Sequence, residues 1–125
     1  MSIEKQVVQV TSYELTGSAE AFTRAISALS ARTQAEGPRG ILRYSFYVNA
    51  DNATAGAIII YRDSEAWLGQ HDFVSGLDEY QDFYKTIRLV GLRFFGDLSP
   101  AMRQWLDERN LQYEDAGQLV AGFQR

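Results

Sequence analysis

The stretch Ala55–Phe73, AGAIIIYRDSEAWLGQHDF, changes its periodicity once, and the fold turns on where. Ala55–Arg62 is a short apolar run rich in β-branched residues, which predicts a strand. Asp63 or Ser64 can then cap a helix. Beyond the cap, Trp67, His71 and Val74 fall at i, i+4 and i+7, one stripe of a helix. Ala66, Gln70, Phe73 and Leu77 form the neighbouring stripe, and one of the two must face a sheet. Trp67 and His71, the only histidine, make this segment the first place to look for chemistry.

Working toward the N-terminus, Asn49–Thr54 is rich in turn-forming residues, and Ile41–Asn49 is dense in β-branched and aromatic residues. The short connection predicts a hairpin of Ile41–Asn49 with Ala55–Arg62. In the first of these strands Leu42, Tyr44, Phe46 and Val48 are expected on one face, and Ile41, Arg43, Ser45 and Tyr47 on the other. Gly37-Pro38 and Gly40 end a preceding helix that Ser18 caps, with Glu20 in its first turn and Phe22, Ile26 and Leu29 at helical spacing to about Ala35. Before it, Lys5–Leu15 reads as a strand, Val8 and Val10 alternating with Gln9 and Thr11.

Toward the C-terminus, Ser75–Lys85 is expected to hold a short helix after a break at Gly76, and Thr86–Gly96 a fourth strand. Ser99-Pro100 starts one more helix, serine at the cap and proline in the first turn. Leu119–Phe123 is expected as a short last strand. The order β-α-β-β-α-β predicts an α+β, ferredoxin-like antiparallel sheet with helices on one face. Residues 1–125 are expected to form a single domain, with 97–125 a C-terminal helix-and-tail extension.

A chain of 125 residues can bury a hydrophobic core without disulfides, and it has no cysteine to make one. Net charge is −4, with ten arginines and two lysines scattered among sixteen carboxylates, which speaks against a nucleic-acid partner. No apolar stretch approaches the ~20 residues that span a bilayer. The N-terminal MSIEKQVVQV has no apolar run of signal-peptide type, so a cytoplasmic location is expected. One histidine, no cysteine and no calcium-loop spacing leave no metal expected. No phosphate-cradling glycine loop or nucleophile elbow is present, and no cofactor is expected. Large apolar residues on both faces of the second and fourth strands would leave a lone sheet with an exposed apolar face, so a homodimer is expected.

The segments AIIIYRDSEAW and LRFFGDLSPAMRQWL, the histidine a few residues into the second helix and the order of elements resemble the dimeric α+β barrel superfamily. Within it, the chain is similar to the antibiotic-biosynthesis-monooxygenase-like proteins. The likeness covers roughly residues 5 to 106 and rests on element order more than on any single motif. It implies a dimeric α/β barrel with a pocket between sheet and helices. It also implies cofactor-independent monooxygenation of a small aromatic, a quinol or polyketide-like phenol. The alternative is a non-enzymatic dimeric small-ligand-binding or scaffold protein of the same fold. A haem-degrading branch of the superfamily uses a first-strand asparagine, a second-helix tryptophan and a histidine about ten residues later. Trp67 resembles that tryptophan, but the first strand offers Gln9, Thr11 and Ser12, and position 77 is Leu77, which disfavours haem degradation.

Catalytic candidates are therefore His71, able to take a proton from an acidic phenol, and Trp67. A hydrogen-bonded structural histidine is the competing role. Substrate-binding candidates are Tyr44, Phe46, Phe94, Arg43 and Arg93. The aromatics serve equally as core or interface. The arginines serve either as anchors for a substrate oxyanion or as inter-subunit salt bridges.

Overall fold

Strand gives way to helix at Asp63. Its carboxylate accepts from the backbone N–H of Ala66 at 2.9 Å and so caps the second helix. The same device starts two other helices: Ser18 Oγ accepts from Ala21 N–H at 3.0 Å, and Ser99 Oγ from Met102 N–H at 3.2 Å. The computed structural model describes residues 3–125. The elements are β1 (Val7–Leu15), α1 (Ala19–Glu36), β2 (Ile41–Asn49), β3 (Thr54–Tyr61), α2 (Ser64–Val74), α3 (Asp78–Tyr84), β4 (Ile87–Gly96), α4 (Pro100–Glu108) and β5 (Glu114–Asp115).

The sheet order is β2-β3-β1-β4-β5. Its first four strands pair antiparallel, giving the ferredoxin-like arrangement, and β5 joins β4 in parallel. The helix-facing side carries Val7, Tyr13, Ala57, Ile59, Tyr61, Ile87, Leu92 and Phe94. Phe22, Ile26 and Leu29 of α1, Trp67 and Val74 of α2, Phe83 of α3 and Met102 and Leu106 of α4 complete the core. No helix among the described residues is long and apolar enough to cross a membrane.

Two one-residue bulges keep the apolar residues on the right side. In β4, Gly91 pairs with Ser12 and Leu89 with Tyr13, so Val90 is the extra residue. Without it, Ile87 and Leu89 would face away from Leu92 and Phe94, because side chains alternate with period two. In β2, Ile41 pairs with Tyr61 and Arg43 with Ile60, so Leu42 is extra. This corrects the strict alternation expected for that strand: Ile41 lies on the side of Tyr44 and Phe46 and packs against the core with them.

The C-terminal strand is also not where the sequence suggested. The chain meets the edge of β4 at Glu114–Asp115, where Ala116 N–H donates to Phe94 O (2.7 Å) and Gly96 N–H to Gly117 O (2.8 Å). Positive φ angles at Gly117 (127°) and Gly122 (155°) then break the extended run. Leu119–Phe123 instead skirts the open face of the sheet, forming a groove with Ile3, Gln6, Val8 and Phe95. Val8, Val10, Ile58 and Ile60 of that open face are half-buried, while Tyr47, Val90 and Phe95 are exposed.

Candidate active site

The buried side of β1 is polar where a core strand would ordinarily be apolar. Val8 and Val10 turn to the open face; Gln9 and Thr11 turn to the helices and are buried. Burial of a carboxamide is tolerable when it is satisfied. Gln9 Nε2 donates to Thr11 Oγ1 at 3.0 Å, and Gln9 Oε1 accepts from the indole Nε1–H of Trp67 at 2.9 Å. That bond fixes α2 on the sheet through a residue only 1% exposed.

The line of α2 that faces the sheet runs between the two stripes foreseen from the sequence. Ala66, Trp67, Gln70 and Val74 are all buried, and His71 and Phe73 flank them, each partly exposed. His71 stacks on Trp67, ring centroids 3.9 Å apart and planes 28° from parallel. Trp105 of α4 closes the group edge-on, 5.1 Å from Trp67 and 5.0 Å from His71. The start of α4 is stapled to that of α2 by one hydroxyl: Ser64 Oγ donates to Asp97 O at 2.9 Å and accepts from Ser99 N–H at 3.0 Å. The guanidinium of Arg109 covers the Trp105 ring, 3.6 Å from its centroid.

The His71 tautomer follows from its partner. Nδ1 lies 2.8 Å from the carbonyl oxygen of Trp67. A carbonyl only accepts, so Nδ1 carries the proton and Nε2 keeps the lone pair. Burial pushes the imidazolium pKa from 6.5 down to about 4. The bond to the Trp67 carbonyl opposes this, Arg109 reinforces it and Asp72 opposes it. The ring is neutral at physiological pH.

Two small cavities meet at this ring. The first, about 50 Å³, is lined by Gln9, Tyr13, Trp67, His71, Tyr80, Tyr84 and Trp105, among others. The second, about 40 Å³, shares Gln9, Tyr13, His71, Tyr80 and Tyr84 and adds Tyr44, Phe46, Tyr61 and Gln70. Each is large enough for water, whereas a cavity of roughly 150 Å³ is what accepts benzene. Burial raises the hydroxyl pKa of Tyr13, Tyr61 and Tyr80, and that of Tyr44 to about 12, so these phenols stay protonated donors.

Of the residues singled out in the sequence, Trp67 and His71 come together here, and Tyr44 and Phe46 line the far side of the second cavity. Phe94 is fully buried, its ring meeting Trp67 edge-on at 5.9 Å, and it borders neither cavity. Both arginines lie elsewhere. Arg43 donates to Ser45 Oγ (3.0 Å) and Tyr47 Oη (2.7 Å) on exposed β2. Arg93 pairs with Glu114 at 3.0 Å within the same chain and lies 5.3 Å from the Phe95 ring. Sequence reasoning gave no role to Tyr13, Tyr80, Tyr84, Gln70 or Trp105. The i, i+4 spacing of Tyr80 and Tyr84 is the signal that marks the third-helix wall.

This sheet order and helix layer make an α+β, ferredoxin-like fold that recurs among solved structures. Three solved structures carry the comparison. MupZ from Pseudomonas fluorescens superposes with a TM-score of 0.76 at 18% identity, over 97% of this chain and 95% of that one. SnoaB from Streptomyces nogalater, a cofactor-independent oxygenase, gives 0.60 at 15% identity, over 76% and 95%. A provisionally assigned antibiotic biosynthesis monooxygenase from Caulobacter crescentus gives 0.59 at 15%, over 77% and 92%. No protein-family profile and no curated protein sequence matches the chain.

Proposed function

We propose that the chain is a homodimeric, cofactor-independent monooxygenase for a small, acidic aromatic of quinol or polyketide-phenol type. The observation that carries it is the neutral His71 ring, its Nδ1 committed to the Trp67 carbonyl and its Nε2 free as an acceptor inside an aromatic enclosure. The fold shared with SnoaB, an oxygenase that works without a cofactor, supports it.

The substrate's phenolic O–H gives its proton to Nε2, and the phenolate passes one electron to dioxygen. The aryloxyl radical and superoxide combine at a ring carbon ortho or para to the oxygen that bears a hydrogen, and the His71 imidazolium returns its proton to the peroxide. Loss of water from the resulting hydroperoxide leaves the quinone. One oxygen atom ends in product and one in water; the substrate loses four electrons and dioxygen gains four. His71 sets a limit on the substrate. An ordinary phenol, pKa ~10, lies roughly six units above an imidazolium at about 4, so full transfer costs about 8 kcal/mol. Only a phenol or enol made acidic by a neighbouring carbonyl or second ring brings that within reach.

The second reading is a non-enzymatic ligand binder or scaffold. The small size of the cavities favours it, since an aromatic enters only if a wall such as Tyr84, 43% exposed, moves aside. Oxygen consumption with a panel of quinols and anthrone-like phenols separates the two. The oxygenase shows substrate-dependent uptake that falls at least tenfold in His71→Ala. Saturable binding without uptake on any substrate supports the binder instead.

A further inference from the structure

One wall of the His71 site comes from a part of the chain for which the proposed chemistry has so far found no use, the last turn of α4. Trp105 stands edge-on to both rings of the site, 5.1 Å from Trp67 and 5.0 Å from His71. Arg109 holds it there. The guanidinium lies 3.6 Å from the Trp105 ring centroid, and Arg109 Nη1 donates to the Trp105 carbonyl oxygen at 3.1 Å. No carboxylate pairs with Arg109 among the described residues, so nothing draws the guanidinium off the ring.

The chain then turns back on itself. Asn110 takes φ = 53°, and Leu111 N–H donates to Leu106 O at 3.1 Å. That turn returns Leu111 to the first cavity, which Trp105, Leu106 and Leu111 line together. The start of α4 is fixed independently by the Ser64 hydroxyl. This wall is therefore held at both ends and across its ring.

The wall from α3 is built differently. α3 starts after Leu77 with no side-chain cap, and Tyr84 at its far end is 43% exposed. The two cavities at His71 hold about 50 and 40 Å³, whereas roughly 150 Å³ takes one benzene ring. An aromatic ligand gains room for its first ring where Tyr84 moves aside. A second fused ring needs more. Trp67 belongs to the core, so the capacity of the site beyond one ring is set at Trp105.

We infer that Trp105, held in place by Arg109, is a specificity-determining residue that limits the site to single-ring aromatics and shuts out fused ones. This inference rests on the small-aromatic site proposed above and divides its two substrate types, favouring a quinol over a fused polyketide-like phenol. A fixed wall discriminates by overpacking, because each added group must force side chains off their rotamers.

The test is binding, measured under argon by titration calorimetry so that no turnover enters. Phenol and 1-naphthol carry the same hydroxyl on one ring and on two. The ratio of their Kd values is read in the wild type and in two site variants. Trp105→Leu shortens the wall and keeps it apolar; Arg109→Met keeps a long stem and removes the cation. The wild type is expected to bind phenol more tightly. In Trp105→Leu the ratio should shift by about tenfold or more toward 1-naphthol, the scale on which a pocket contact discriminates, with phenol affinity little changed. Arg109→Met should shift it in the same direction by a smaller factor. Gln104→Leu, at the exposed neighbour of Trp105, keeps the wild-type ratio. Arg109 is itself exposed, so Arg109→Met carries the test should Trp105→Leu fail to fold.

An unchanged ratio in either site variant, or an equal shift in Gln104→Leu, overturns the inference. So does a wild type that binds 1-naphthol more tightly than phenol, or that binds neither at millimolar concentration. The oxygenase reading fails separately. A Trp105-dependent ratio with no oxygen uptake on any phenol leaves Trp105 its role and removes the reaction; uptake with a ratio indifferent to Trp105 does the reverse.

Discussion

The indole N–H of Trp67 reaches across from α2 to the carboxamide oxygen of Gln9 on β1, 2.9 Å away, and both residues are buried. This bond links a helix whose side chains do the proposed chemistry to the strand at the centre of the sheet. Gln9→Leu strands the indole donor and is expected to lower stability by about 1–3 kcal/mol in urea unfolding. Pairing it with Trp67→Phe removes the stranded donor. A double-mutant cycle then yields a coupling energy of about 1 kcal/mol or more; strict additivity contradicts the role given to the bond.

Acid sensitivity follows from His71. The unfolded chain takes up its proton near 6.5 and the folded chain near about 4. Stability is therefore full above pH 6.5, is lost as pH falls through that window and levels off below 4. The depth is at most about 3 kcal/mol, less to the extent that the ring's open edge stays hydrated. In His71→Gln the wild-type-minus-variant difference in unfolding free energy should be independent of pH above about 6.5 and should fall between pH 6 and 4, because only the wild type loses stability there. The same titration places the acid limb of kcat/KM near pH 4 and leaves the profile flat through neutrality.

Gly96 adopts φ = 114°, and a β-carbon there would collide with the carbonyl oxygen of Gln6. Gly96→Ala is expected to cost about 2 kcal/mol or more, because backbone strain and the collision add. Circular-dichroism melting checks this; a neutral substitution means β1 can move away from the end of β4.

The open face of the sheet carries Val8, Val10, Ile58 and Ile60, half-buried, with Tyr47 and Phe95 exposed, an apolar set of the kind that a partner surface covers. A homodimer is expected at micromolar concentration by light scattering. Ile60→Asp, on the half-buried centre of that face, should shift the distribution toward monomer. A 14.1 kDa wild-type species contradicts the expectation.

The element order was legible because three of the four helix starts carry local chemistry: Ser18, Asp63 and Ser99 cap helices, and Pro100 follows the last of these, while α3 begins at Leu77 without a side-chain cap. The β2 phase was not, because a bulge leaves no mark in composition. Leu42 looks like any strand residue, and only the pairing of Ile41 with Tyr61 reveals it as extra. The site was half legible. Trp67 and His71 share a helical stripe by spacing alone, and so come together in any helix. The burial of Gln9 and Gln70 depends on which face of β1 and which side of α2 the core selects, and the alternation of Val8 and Val10 with Gln9 and Thr11 marks a strand without saying which face turns inward. Trp105 arrives from α4, held by Ser64 bonds to Asp97 and Ser99 that span more than thirty residues, beyond the reach of local periodicity.

The extra residues Leu42 and Val90 act as clutches between the two ends of their strands. Each uncouples the alternation on one side from that on the other, so that the outer end of β2 or the leading end of β4 can change sequence without constraining the pattern beyond it. It follows that loss of a single residue, harmless in most loops, would be most damaging here: deleting Val90 turns the Ile87–Leu89 end of β4 inside out while leaving every apolar residue of the core still in the chain.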